Sequence, residues 1–217
     1  MDAKRVAASR ETLLDPDATL WSELAATEVS LEGTPLSLQP TPYVKIAWRG
    51  KAIGAVKNVR VRAAHNGTEV FFRMEWHDES RNEASTDANV FPDGAGVLFP
   101  IGRTAPIRTM GNKVQPVNAW YWRADLGEKG VNNVAHGVGT TRVTEKSYIV
   151  CRGQWRDATW RLVFSRPLSV PDQMNEAVQL EAGASVKVGF SVWEGGHGER
   201  AGIKAFSPKW QELTLEA

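Results

Sequence analysis

The chain of 217 residues has one cysteine, Cys151. A lone thiol cannot close an internal disulfide, and it cannot by itself build a cysteine-ligated zinc or iron–sulfur site. No C-x-x-C-H occurs, which excludes a covalently attached c-type haem. Long apolar runs are also missing. Nothing approaches the roughly 20 residues that cross a bilayer, and the opening MDAKRVAASRETLLDPDATLW lacks the apolar stretch of a secretory signal. A processed exported protein lacks its leader too, so the compartment stays open on this ground. Charge of one sign is scarce: 26 basic against 25 acidic residues leave a formal net charge of +1. No global field collects nucleic acid or an anionic membrane. G-x-S-x-G, Walker, G-x-G-x-x-G and EF-hand patterns are all absent. The four histidines, His65, His77, His136 and His197, share no H-x-H or H-x-x-x-H pair, so no single element offers a compact metal site.

What the sequence does contain is β-forming. Hydrophobic residues make up 42% of it, sufficient for a substantial core, and one domain over 1–217 is expected, with 1–15 extended or flexible. Proline and glycine punctuate segments whose apolar residues recur with a period of two. VKNVRVRAAH and TEVFFRMEWHD flank Asn66-Gly67, a pair suited to a type I′ hairpin turn. SYIVCRGQW and ATWRLVFSR flank Arg156-Asp157 as a second hairpin. Further strands are predicted at 43–49, 95–100, 117–124, 185–193 and 209–216, and surface loops at 127–141 and 194–208. Short helical turns are placed after Asp15-Pro16-Asp17 and near Asp172. The expected architecture is an all-β sandwich of about nine or ten mainly antiparallel strands with a few short helical turns.

Few residues announce chemistry one at a time. Nine tryptophans are unusually many, and two lie in NAWYWRAD, where core packing is the first reading. Cys151 reads as a small strand residue. Asp78, Asp87 and Asp93 admit a calcium or acid–base cluster, but their scatter through Pro/Gly-rich sequence favours turn formation. Met110 in a glycine-rich turn reads as packing, and Lys204 as a solvated loop lysine.

The joint pattern says more. FFRMEWHDES is followed by FPDGAGVLFPI, a Met-Gly before PVNAWYWRAD, SRPL, and VGFSVWEGGHGERAGIKAFSPKW. In order and spacing this resembles, over roughly residues 40–216, the haem b gamma subunits of type II enzymes of the dimethyl-sulfoxide-reductase family. That group includes chlorate reductase, selenate reductase, dimethyl-sulfide dehydrogenase and ethylbenzene dehydrogenase. The resemblance implies a non-covalent b-type haem held by loops at one side of the sandwich, with Met110 and Lys204 as axial iron ligands. It also implies an electron-transfer role without catalysis by this chain alone. The partners would be a molybdenum-cofactor alpha subunit, an iron–sulfur beta subunit and a soluble periplasmic carrier such as a c-type cytochrome, with no nucleic acid and no membrane span. Phe99, Trp120, Trp122, Trp193 and Phe206 are the aromatics nearest the two ligand segments and are the expected pocket walls.

Two other readings compete. A tryptophan-rich β-sandwich without a catalytic motif also describes a carbohydrate-binding module. A stand-alone enzyme using His197 with acidic partners lacks a positioned nucleophile or metal triad.

Overall fold

The computed structural model describes residues 1–85 and 87–217. Among them the strands run β1 Asp2–Arg5, β2 Thr27–Ser30, β3 Glu32–Gly33, β4 Asn58–His65, β5 Glu69–His77, β6 Gly94–Pro100 and β7 Val117–Arg123. They continue as β8 Val131–Ala135, β9 Arg142–Val143, β10 Val150–Arg156, β11 Thr159–Pro167, β12 Ser185–Trp193, β13 Ala205–Phe206 and β14 Gln211–Leu215. The helices are α1 Arg10–Leu14, α2 Leu20–Glu23 and α3 Pro42–Ala47. Nine of these fourteen strands have five residues or more, the number that periodicity foresees; the other five are too short to show a period.

Strand order is β10-β11-β5-β4-β1-β14-β12-β6-β7-β8-β9. All pairings are antiparallel except those of β1, which lies parallel between β4 and β14 and fixes the N-terminus as an extended strand. The two layers of the sandwich share β12. Its first half pairs with β14 in the first sheet, and its second half pairs with β6 and β13 in the second. Side chains from both inner faces interlock: Phe72 of β5 meets Phe99, Trp120 and Phe190 edge-on at 5.8–6.3 Å between ring centres. Cys151 is fully buried in this layer as a small apolar residue.

Turn chemistry accounts for the hairpins. At β10–β11, Asp157 and Ala158 both take positive φ (54° and 51°), the two-residue type I′ signature. At β4–β5 only Gly67 does, at 90°. Asn66 instead folds its side chain over the turn, its Oδ1 accepting from the Thr68 and Glu69 amides, so glycine occupies the first central position and the expected type I′ geometry at Asn66-Gly67 is corrected.

Two further expectations are corrected. Residues 43–49 are not a strand: Thr41 accepts a hydrogen bond from the Val44 amide and Pro42 starts the helix, so the cap and first-turn signals of α3 outweigh the β-branched composition. The 127–141 segment is not wholly loop. It contains β8, whose polar Asn132 and Asn133 are buried, Asn132 Oδ1 accepting from Asn118 Nδ2 at 2.6 Å. The 194–208 segment is loop as expected, apart from the two residues of β13.

The outer faces of the layers differ. Leu13, Leu14 and Trp21 from α1 and α2 seal the first sheet over Ala64, Phe71 and Val163. The second sheet is covered by loops, and beneath them lies a cavity.

Candidate functional site

The floor of the cavity follows from strand alternation. In β7, Trp120 and Trp122 point inward, so Ala119, Tyr121 and Arg123 point outward; in β6, Leu98 does the same. Outward positions 94 and 96 of β6 are glycines, and a methyl group at either would stand 3.6 Å from the Trp193 indole. A methyl would only touch the ring, but a larger side chain would lift it from the sheet, where Tyr121 meets it edge-on at 5.1 Å. The walls come from 39–44, 91–92, 138–143 and 199–204, and together they enclose about 920 Å³.

Met110 and Lys204, 94 positions apart in sequence, meet at this cavity with Met110 Sδ 3.4 Å from Lys204 Nζ. Met110 caps a short turn at Ile107–Thr109 in left-handed conformation, φ 54°, followed by Gly111 at φ 84°. A non-glycine residue held there is strained, and such strain concentrates at functional positions. The Met110 carbonyl accepts from the Gly137 amide, which pins the turn to the neighbouring loop.

Lys204 is held by a second loop. Its carbonyl accepts from the Thr34 amide, and Gly202 O accepts from both Thr34 Oγ1 and Gln39 Nε2. Glu199, fully buried, ties down the loop's start by accepting from the Gly54, Ala55 and Glu194 amides. Lys204 itself is only 4% exposed, and among the described residues no carboxylate pairs with it. Its ammonium lies 4.6 Å from the centre of the Trp193 ring, and burial pulls its pKa down to about 8. A buried, uncompensated amine beside a thioether is an expensive arrangement for mere packing and a suitable donor pair for a metal.

The contact between these two side chains also divides space. Both line the 920 Å³ cavity and a hollow of about 40 Å³ on the side of Thr34, Ile107 and Phe206.

The five expected wall aromatics separate. Trp193 lines the cavity and Phe206 the smaller hollow. Trp120 borders the cavity while its ring packs on Phe99 and Phe72 inside the sandwich. Phe99 and Trp122 face the core and do not reach the cavity, because proximity in sequence to a ligand segment ignores the alternation that sends neighbouring strand residues to opposite faces. Tyr121, Arg123, Leu98 and Ala119 were findable by extending that alternation; Arg200 and Ile203, from the loop, were not. His197 lies outside the cavity lining, half-exposed against Trp48 with Nδ1 3.5 Å from Glu199.

A family model described as ethylbenzene dehydrogenase matches residues 18–150 and 136–205. The chain belongs to the ethylbenzene dehydrogenase family. Within it, the chain is 31% identical over 201 residues to the chlorate reductase subunit gamma of Ideonella dechloratans, spanning 92% of this chain and 79% of the other. It is equally 31% identical, over 92% of itself and 67% of the relative, to a protein of Haloferax mediterranei named as a respiratory nitrate reductase heme subunit. The dimethylsulfide dehydrogenase subunit gamma of Rhodovulum sulfidophilum is 25% identical over 90% of this chain and 73% of its own. Among solved structures, a family 9 carbohydrate-binding module from Caldicellulosiruptor kristjanssonii superposes with TM-score 0.54 at 8% identity, covering 100% of this chain and 95% of that one. A Bacteroides uniformis protein described as carbohydrate-binding gives 0.57 at 14%, covering 100% and 98%. These identities carry the fold alone, a β-sandwich.

Proposed function

We propose that this chain is the electron-transfer gamma subunit of a periplasmic molybdenum oxidoreductase, carrying a non-covalent b-type haem with Met110 and Lys204 as axial ligands. It is non-catalytic by itself. It would exchange electrons between a soluble periplasmic carrier, such as a c-type cytochrome, and an iron–sulfur beta subunit that serves a molybdenum-cofactor alpha subunit.

The observation that carries this reading is the buried, unpaired Lys204 amine touching the Met110 thioether at the wall of a large, mainly apolar cavity. Three properties of the residues suit the group. The cavity falls within the roughly 300–1,000 Å³ range of cofactor pockets. Lysine binds a metal only as the neutral amine, and burial already favours that form. Arg200 lines the same cavity and offers a cation to a propionate, whereas Arg123, also at the wall, is already paired with Asp125 and Glu199 is occupied by backbone amides.

At 3.4 Å the donor atoms are in direct contact, closer than two ligands on opposite sides of one ion can stand. Loading therefore requires them to part, and the flexible methionine is the side that yields. When bound, haem supplies one-electron chemistry. Of the residues that would hold it, Met110 would favour the reduced metal through its soft sulfur and Lys204 would supply a neutral amine as the second protein ligand, consistent with electron transfer in place of substrate chemistry. Trp193 and the loop at 199–204 keep water from the amine.

Absorbance of the purified chain tests the proposal. A sharp Soret band and a haem extractable by acidified solvent, with no covalent link to the chain, support it. The fold likeness to carbohydrate-binding modules favours a second reading, which a colourless protein retained by polysaccharide would establish in its place. Against that reading, none of the nine tryptophans is exposed as a platform for sugar rings.

A further inference from the structure

At the end of the sandwich beside the cavity, β5, β6 and β12 bring Asp78, Asp93 and Glu194 together. One carboxylate oxygen from each lies within 4.8 Å of the others. Asp78 and Asp93 are 3% and 0% exposed. Among the described residues none of the three forms an ion pair. Burial lifts the Asp78 carboxyl to about 7, aided by the Asp93 charge, and that of Asp93 to about 6.

Hydrogen bonds satisfy only part of the cluster. Asp93 Oδ1 accepts from the Gly195 amide, and Oδ2 from the Asn82 amide and Trp160 Nε1. Asp78 Oδ1 accepts from the Ser80 amide, but its buried Oδ2 has no partner. An orphaned carboxylate oxygen in a dry, acidic space calls for a positive charge. Trp76 Nε1 lies close enough to act on the Asp78 carboxyl and lower its pKa, but outside hydrogen-bonding geometry, so it leaves Oδ2 without a full partner.

Neutral oxygens converge on the same place. A methyl group on Gly196 would stand 2.8 Å from Glu194 Oε1, 2.8 Å from Ser80 Oγ and 2.9 Å from Asn82 Oδ1. Carboxylates together with hydroxyl and amide oxygens, without nitrogen or sulfur, form a ligand set for a hard cation. Calcium, which takes about six to eight oxygens in irregular geometry, suits such a set better than magnesium with its tight octahedron.

We propose that Asp78, Asp93 and Glu194, with Ser80 and Asn82, form a calcium site that joins β5 of the first sheet to β6 and β12 of the second. Asp93 follows the cavity-lining Phe91 and Pro92, and Glu194 opens the loop that carries Lys204, so the ion would hold two cavity walls in place. Turn formation, the sequence-based expectation, is also correct for Asp78 and for Asp87, whose Oδ1 caps the Asn89 amide. What spacing could not show is that Glu194 joins them.

The test uses the full chain stripped with a chelator and titrated with terbium. Trp160, bonded to Asp93 at 3.0 Å, should sensitise terbium emission. Calcium should quench that emission by displacement and raise the thermal midpoint, whereas an equal concentration of magnesium should do neither. Glu194→Gln should weaken calcium binding at least about tenfold, and Asn82→Asp, which adds a charge, should strengthen it. A wild-type chain with no sensitised emission and no calcium-dependent midpoint overturns the proposal, as does magnesium competing equally well. Glu194→Gln with wild-type affinity would place the ion elsewhere and reject the assignment.

Discussion

The outer faces of the two sheets meet opposite fates. The first sheet's outer face is closed by α1 and α2, with Leu13, Leu14 and Trp21 at 0–1% exposure. The second's is left hollow: glycines at 94 and 96, a half-buried methionine in strained backbone, and a buried lysine without a counter-charge. The sealed face contributes stability and offers no chemistry. The hollow face gives stability away, and the residues that cost most there are the ones suited to binding a metal. The second sheet can be hollow outside and still hold because alternation keeps its inner face, with Phe99, Trp120 and Phe190, fully packed.

Truncation on the sealed face gives the largest effect. Trp21→Ala should cost about 3–5 kcal/mol, read by denaturant unfolding, through lost burial and an unfilled cavity. On the hollow face the sign should reverse. Without cofactor, Lys204→Met should stabilise the protein at pH 7 by up to about 3 kcal/mol, because the folded state holds a lysine whose pKa falls from 10.5 to about 8. The folded state binds the proton less tightly than the unfolded one, so wild-type stability should rise between pH 8 and 10.5. That rise should vanish in the variant. For the same reason haem affinity should fall up to about tenfold per pH unit below pH 8 as protons compete for the amine, measured by haem titration. A smaller effect is expected at the floor. Gly96→Val meets Ser191 Oγ and the Trp120 carbonyl at 2.9 Å and displaces Trp193, costing about 1–3 kcal/mol together with haem affinity. Tyr43→Ser, on the 85%-exposed side chain of α3, should change stability by less than about 0.5 kcal/mol.

The two faces were unequally legible in the sequence. Apolar, β-branched and aromatic runs bounded by Gly and Pro, such as 95–100 and 185–193, announced β6 and β12, where nearly every residue is buried. β8 was hidden because Asn132 and Asn133 read as loop residues; their burial depends on Asn118, a partner from another strand. Residues 43–49 were misread because Thr41 and Pro42 override their neighbours' β-propensity. Met110 and Lys204 look unremarkable singly, and only resemblance to a family paired them. Their contact spans 94 positions, and no local period encodes that distance. The same limit left Asp78 and Asp93 as turn residues until folding brought Glu194 to them.

Spectroscopy of the haem-loaded chain with Met110→Ala and Lys204→Ala tests the ligand pair most directly. Wild type should be low-spin and six-coordinate, and each variant should remain folded while shifting in spin state and reduction potential. Two variants with wild-type spectra, or a shift produced instead by His197→Ala alone, would contradict the assignment.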